Sequence, residues 1–147
     1  MLEKLRKILN EEVSAYLHRY LHYDVKVSIA LLFTQNEEAE TEIRGHIRPT
    51  DKVLKITRHL FAIIYQYTNT DEEAKAAAEN LAKRLGETPK SLIAYTTFHE
   101  SDKNADTVVT RLYHIFEDLF SKSKDAIGSD AAYFEELEKF SIDFDEL

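Results

Sequence analysis

Thr88-Pro89-Lys90-Ser91-Leu92-Ile93-Ala94-Tyr95-Thr96-Thr97-Phe98 decides how the C-terminal half of this chain is read. Thr88-Pro89 can open a helix, because proline suits the first helical position, where its missing N–H is no loss. Ile93, Tyr95, Thr96, Thr97 and Phe98 favour a strand, since β-branched and aromatic side chains fit a pleated, half-buried surface. Helix and strand both stay open for residues 88–98 on local pattern alone.

The flanks of this stretch read more simply. Upstream, Thr70-x-x-Glu73 has the form of a capping box, in which hydroxyl and carboxylate satisfy free backbone amides. It predicts a helix over 71–85, with Gly86 as its C-terminal stop. Downstream, Ala105, Val109, Leu112, Phe116, Leu119 and Phe120 recur at helical spacing and predict a helix over 105–120. A loop, SKSKDAIGS, then leads to a last predicted helix near 130–140 that presents Tyr133, Phe134, Leu137 and Phe140.

Toward the N-terminus, Leu2, Leu5, Leu9, Val13, Tyr16, Leu17 and Tyr20 predict an amphipathic helix over 2–22. Residues 24–34 switch to period two, with Val25, Val27, Ile29, Leu31 and Phe33 on one face of a strand. Residues 41–48 alternate again, Ile43 and Ile47 facing in, so a β-hairpin of the two stretches is expected. Pro49-Thr50-Asp51 reads as a helix start, with Val53, Leu54, Ile56, Leu60, Phe61 and Ile64 on one broad face. The fold class is therefore α+β: an N-terminal helix, a β-hairpin, and a mostly helical C-terminal half with the ambiguous segment 88–98. Residues 1–129 are expected to form a single domain, followed by an acidic amphipathic C-terminal helix or tail over 130–147.

Composition bounds the function. With 147 residues, 44% hydrophobic and 31% charged, the chain is long enough to bury one core without staples. The absence of cysteine removes disulfides and thiolate sites and suits a reducing, cytoplasmic compartment. No apolar run approaches the roughly 20 residues that span a bilayer, so no membrane partner is expected. The net charge of −8 is unevenly placed: residues 130–147 hold seven acids against Lys139, leaving the rest nearly neutral. Within that rest, Arg44, Arg48, Lys52, Lys55 and Arg58 form a basic segment broken only by Asp51.

Leu81 to Tyr95, L-A-x-x-L-G-x-T-P-x-S-L-x-x-Y, resembles the core of helix-turn-helix DNA-binding domains. The resemblance implies that Gly86 makes the turn and that Thr88, Lys90, Ser91 and Ala94 sit on the helix that meets the DNA groove. Arg44, Arg48, Lys52, Lys55 and Arg58 would then contact the phosphate backbone. Glu87 stands where the family has a buried aliphatic residue, and a carboxylate there opposes the turn geometry.

Other constellations are thinner. His18 and His22, four apart on the first helix, have chelating spacing but fall on its solvent face, so no metal site is assigned. The loop His99-Glu100-Ser101-Asp102 and its flanks resemble the phosphate loop of flavodoxin-like proteins, but Glu100 and Asp102 would repel a phosphate. Asp102 or Asn104 as a cap for the following helix explains the same letters. His46, among Glu42, Arg44 and Arg48, could contribute to an anion-binding or protein-binding strip.

No motif fixes a reaction, a catalytic residue or a cofactor. The leading expectation is a small non-enzymatic binding or regulatory protein acting through protein–protein interaction, a homodimer being one such arrangement. The first alternative is a helix-turn-helix DNA-binding regulator using residues 81–95. The second is a small-ligand or cofactor binder at the 99–102 loop.

Overall fold

The computed structural model describes residues 2–66, 71–86 and 91–122. Helix α1 (Leu2–Tyr23) leads into strand β1 (Val27–Thr34), followed by α2 (Ala39–His46), β2 (Lys52–Lys55) and β3 (Leu60–Gln66). Helix α3 (Asp71–Leu85), β4 (Ser91–Thr97) and α4 (Ala105–Lys122) complete the order. The four strands form one antiparallel sheet in the order β2-β3-β1-β4.

Each face of the sheet carries its own apolar layer. Val27, Ile29, Leu31 and Phe33 of β1 face α1 and α4, where Leu9, Val13, Leu112 and Phe116 close the core. Ala30 and Leu32 face the other way with Phe61, Ile63 and Tyr65, against Ala39 and Ile43 of α2 and Leu81 and Leu85 of α3. Every residue of β1 is buried, including the hydroxyl residues Ser28 and Thr34. A strand covered on both faces needs apolar residues at nearly every position, and Val27 to Phe33 supplies them.

The α+β class holds, and residues 88–98 resolve as a strand over Ser91–Thr97. The edges of the expected hairpin do not hold. Residues 39–46 are helical, because Ala39, Ile43 and Ile47 are spaced four apart and bury one helical face. Glu40–Arg44 and Glu42–His46 sit one turn apart on the outer surface, and the acid-first, base-last order suits the helix dipole. The hairpin lies instead where a helix was expected, between β2 and β3. Leu60 to Tyr65 is a continuous apolar run, which a two-sided central strand can bury and an amphipathic helix cannot. Pro49-Thr50-Asp51 is accordingly a turn, with Asp51 N–H donating to Arg48 O at 2.9 Å.

Gly86 ends α3 at φ +80°, its N–H donating to Ala82 O at 3.2 Å and Lys83 O at 3.3 Å. Asn104 caps α4, its Oδ1 accepting from Thr107 N–H at 3.0 Å. The capping residue Thr70, the helix expected near 130–140 and the domain boundary at 130 lie outside the described residues. No described helix is long and apolar enough to cross a membrane.

Candidate functional site

The β1-α2-β2 and β3-α3-β4 crossovers place α2 and α3 on the same face of the sheet, and a groove of about 420 Å³ opens between them. Ile43 and Ile47 on one side and Ala77 and Leu81 on the other make its apolar walls. Polar groups converge at its rim: His46, Arg48, Asp51, Tyr65, Glu73, Asn80 and Arg84.

Arg48 is held flat against Asp51. Its Nε donates to Asp51 Oδ2 at 3.1 Å and its Nη2 to Oδ1 at 3.0 Å, while Nη2 also reaches Gln66 O at 2.7 Å. The Asp51 side chain is 2% exposed and the Arg48 side chain 51%. The pair therefore presents a planar cation to the groove with its orientation already fixed.

Tyr65 is 8% exposed, lines the groove, and makes no hydrogen bond through its hydroxyl among the described residues. Burial, followed by the charge of Asp51, pushes the phenol up to about 12, with Arg48 opposing. It therefore remains a protonated donor at neutral pH. On α3, Arg84 donates from Nη1 to His46 Nε2 at 2.7 Å. A guanidinium has no acceptor, so His46 Nε2 must be the lone-pair nitrogen. Among the described residues no carboxylate pairs with Arg84.

The expected phosphate contacts scatter. Of the five basic residues only Arg48 reaches the groove. Arg44 and Lys55 lie 3.8 Å and 3.2 Å from Glu40, Lys52 pairs with Glu12, and Arg58 on the β2–β3 turn pairs with Glu37 at 2.8 Å. Tyr65 and Arg84 were not legible as site residues, since one reads as core and the other as a solvated helix charge until α2 and α3 are placed side by side.

The helix-turn-helix assignment is overturned. Ser91 and Ala94 lie in β4; Ala94 is fully buried, and Ser91 Oγ is spent 2.6 Å from Thr34 Oγ1. Thr88 and Lys90 lie outside the described residues. In the 99–102 loop, which the sequence offered as a ligand site, Asp102 is consumed internally. Asp102 accepts from His99 N–H at 2.8 Å and from Arg111 at 2.8 Å and 2.9 Å, and its side chain is 1% exposed. Arg111 also donates to Thr96 Oγ1 and Thr97 O, so the Asp102–Arg111 pair staples the loop between β4 and α4.

A β-α-β-β-α-β sheet with both crossover helices on one face defines a ferredoxin-like sandwich, here backed by α1 and α4 on the other face. Solved structures similar to this chain include GGDEF domains. The GGDEF domain of FimX from Pseudomonas aeruginosa aligns with a TM-score of 0.65 at 14% identity, covering 80% of this chain and 88% of that one. The GGDEF domain of DgcB from Caulobacter crescentus, solved in complex with c-di-GMP, aligns at 0.63 and 10% identity over 84% and 86%. A sensory box/GGDEF family protein from Caulobacter crescentus aligns at 0.64 and 8% identity over 78% and 90%. No family model and no curated protein matches the sequence. The string of letters that names these domains is absent from the chain, whose three glycines are never adjacent, so the likeness is one of backbone fold. That fold displaces the expected protein–protein regulator and the DNA-binding regulator.

Proposed function

We propose that this chain binds a cyclic guanine dinucleotide, c-di-GMP in the first instance, in the groove between α2 and α3. The observation that carries the proposal is the convergence, in one groove, of Tyr65, whose ring is buried and whose hydroxyl makes no hydrogen bond among the described residues, with an Arg84 guanidinium that no described carboxylate pairs. A volume of about 420 Å³ lies within the range of roughly 300–1,000 Å³ usual for small-molecule sites. The chemistry of each part matches. Guanine offers O6 and N7 as acceptors to donors on the groove rim such as the Asn80 amide. A phosphodiester takes Arg84 and the Tyr65 O–H, and the aliphatic walls cover the faces of a base. The DgcB domain of the same fold, solved with c-di-GMP, supports this choice of ligand. A cysteine-free chain is in keeping with the cytoplasm as the place of binding.

Titration calorimetry at physiological salt, with c-di-GMP, c-di-AMP and GTP offered separately, tests the reading. c-di-GMP is expected to bind most tightly, with affinity reduced at least tenfold, about 1.4 kcal/mol, in Arg84→Ala and measurably in Tyr65→Phe. Absence of heat with all three nucleotides, or unchanged affinity in Arg84→Ala, overturns it.

A further inference from the structure

The two edges of the sheet are unlike. The β2 edge carries Lys52 and Lys55, charges of the kind that keep a second strand away. The β4 edge, Ser91 to Thr97, contains neither a charge nor a proline, and among the described residues it pairs with β1 alone.

Register shows which groups that edge offers. Phe98 N–H donates to Val27 O, so Phe98 points inward to β1, and with it, two residues at a time, Thr96, Ala94 and Leu92. The backbone groups of Ile93 and Tyr95 therefore point outward. Thr97 O, which also points outward, is taken by Arg111 at 2.9 Å, which closes that end of the edge. What remains suits a strand of about five residues. Ile93 and Tyr95 have half-buried side chains on the α2–α3 side of the sheet, so an incoming strand would meet apolar neighbours there.

We infer that the occupant is the chain's own segment Phe140-Ser141-Ile142-Asp143-Phe144, added to β4 as a fifth strand. It is five residues long and alternates apolar and polar, which places Phe140, Ile142 and Phe144 on one face beside Ile93 and Tyr95. The chain is also delivered to the right place. Helix α4 follows β4 after a short loop and packs back along it. Its 18 residues rise about 27 Å, against about 23 Å for the seven residues of β4. Lys122 thus returns to the Ser91 end, and residues 123–139 span up to about 55 Å, more than enough to reach the edge.

Amide hydrogen exchange on the full chain, read at single residues, tests this. Ile93 and Tyr95 are expected to be protected, and Ile142→Pro, which removes a ladder donor, should speed their exchange at least tenfold while Ala30 and Ile63 in the sheet centre keep their protection. Ile142→Val should behave as the parent. Rapid exchange at Ile93 and Tyr95 in the parent, or protection untouched by Ile142→Pro, overturns the inference. Protection that falls on dilution and ignores Ile142→Pro assigns the edge to a second copy instead.

Discussion

Asp102 shows how much one residue can settle. Burial alone would push its carboxyl up, but the Arg111 hydrogen bond, the His99 N–H and the Arg111 charge prevail and hold it below the usual carboxylate range. Removing one partner of a buried, fully bonded pair leaves the other uncompensated, so Arg111→Met should cost about 3 kcal/mol. The pH dependence follows from the direction of the shift. A carboxyl depressed on folding contributes its stability above the unfolded value of about 4 and loses it as pH falls through the lower folded value. Urea midpoints should therefore show a wild-type advantage over Asp102→Asn that is constant near neutrality and shrinks with acid. An advantage that grows toward low pH would refute the assignment. Gly86 sets a second test at this scale: at φ +80° a Cβ meets no atom within 4 Å, so Gly86→Ala should lose about 1 kcal/mol from backbone strain alone.

At the scale of elements, α1, α3 and α4 were legible because each buries a stripe of side chains at helical spacing. The strand β1 was legible in position and half legible in character, since period two was read through a run that is buried on both faces. The middle of the chain was misread for a physical reason. Residues 41–48 alternate and also repeat at four, and an eight-residue element offers too few turns for one period to exclude the other. What decided it was tertiary: α2 must cover Phe61 and Ile63, and Ile43, fully buried, does so from a helix. Ile43→Ala should then cost 2–5 kcal/mol by equilibrium unfolding, the range for truncating a core aliphatic. Arg44→Ala, one residue along and half-exposed, should change stability by less than about 0.5 kcal/mol. In a hairpin arm the same two positions would also alternate, so the sharper check is Gly45→Ala. Gly45 has open space around its missing Cβ, and in a helix the substitution should stabilise by about 0.5–1 kcal/mol, whereas a strand would gain little from alanine.

For the whole molecule, the groove was beyond sequence because its parts come from α2, the following turn, β3 and α3, residues 43 to 84, and only the two crossovers bring them together. The same wide sourcing gives a prediction about the folded state as a unit. A ligand that grips α2, β3 and α3 at once binds none of them unfolded, so its binding energy adds to global stability. At a ligand concentration of 100 times Kd the gain is about 2.7 kcal/mol, and for a chain of this size that raises the melting temperature by roughly 5–10 °C. The shift should depend on concentration, vanish in Arg84→Ala, and survive in Asp102→Asn, whose own melting temperature is lower but whose groove is intact. A thermal scan of the three proteins with and without c-di-GMP therefore separates loss of the site from loss of the fold. A shift that persists undiminished in Arg84→Ala would place the ligand elsewhere on the molecule, and no shift in the parent at saturating ligand would remove the groove as its site.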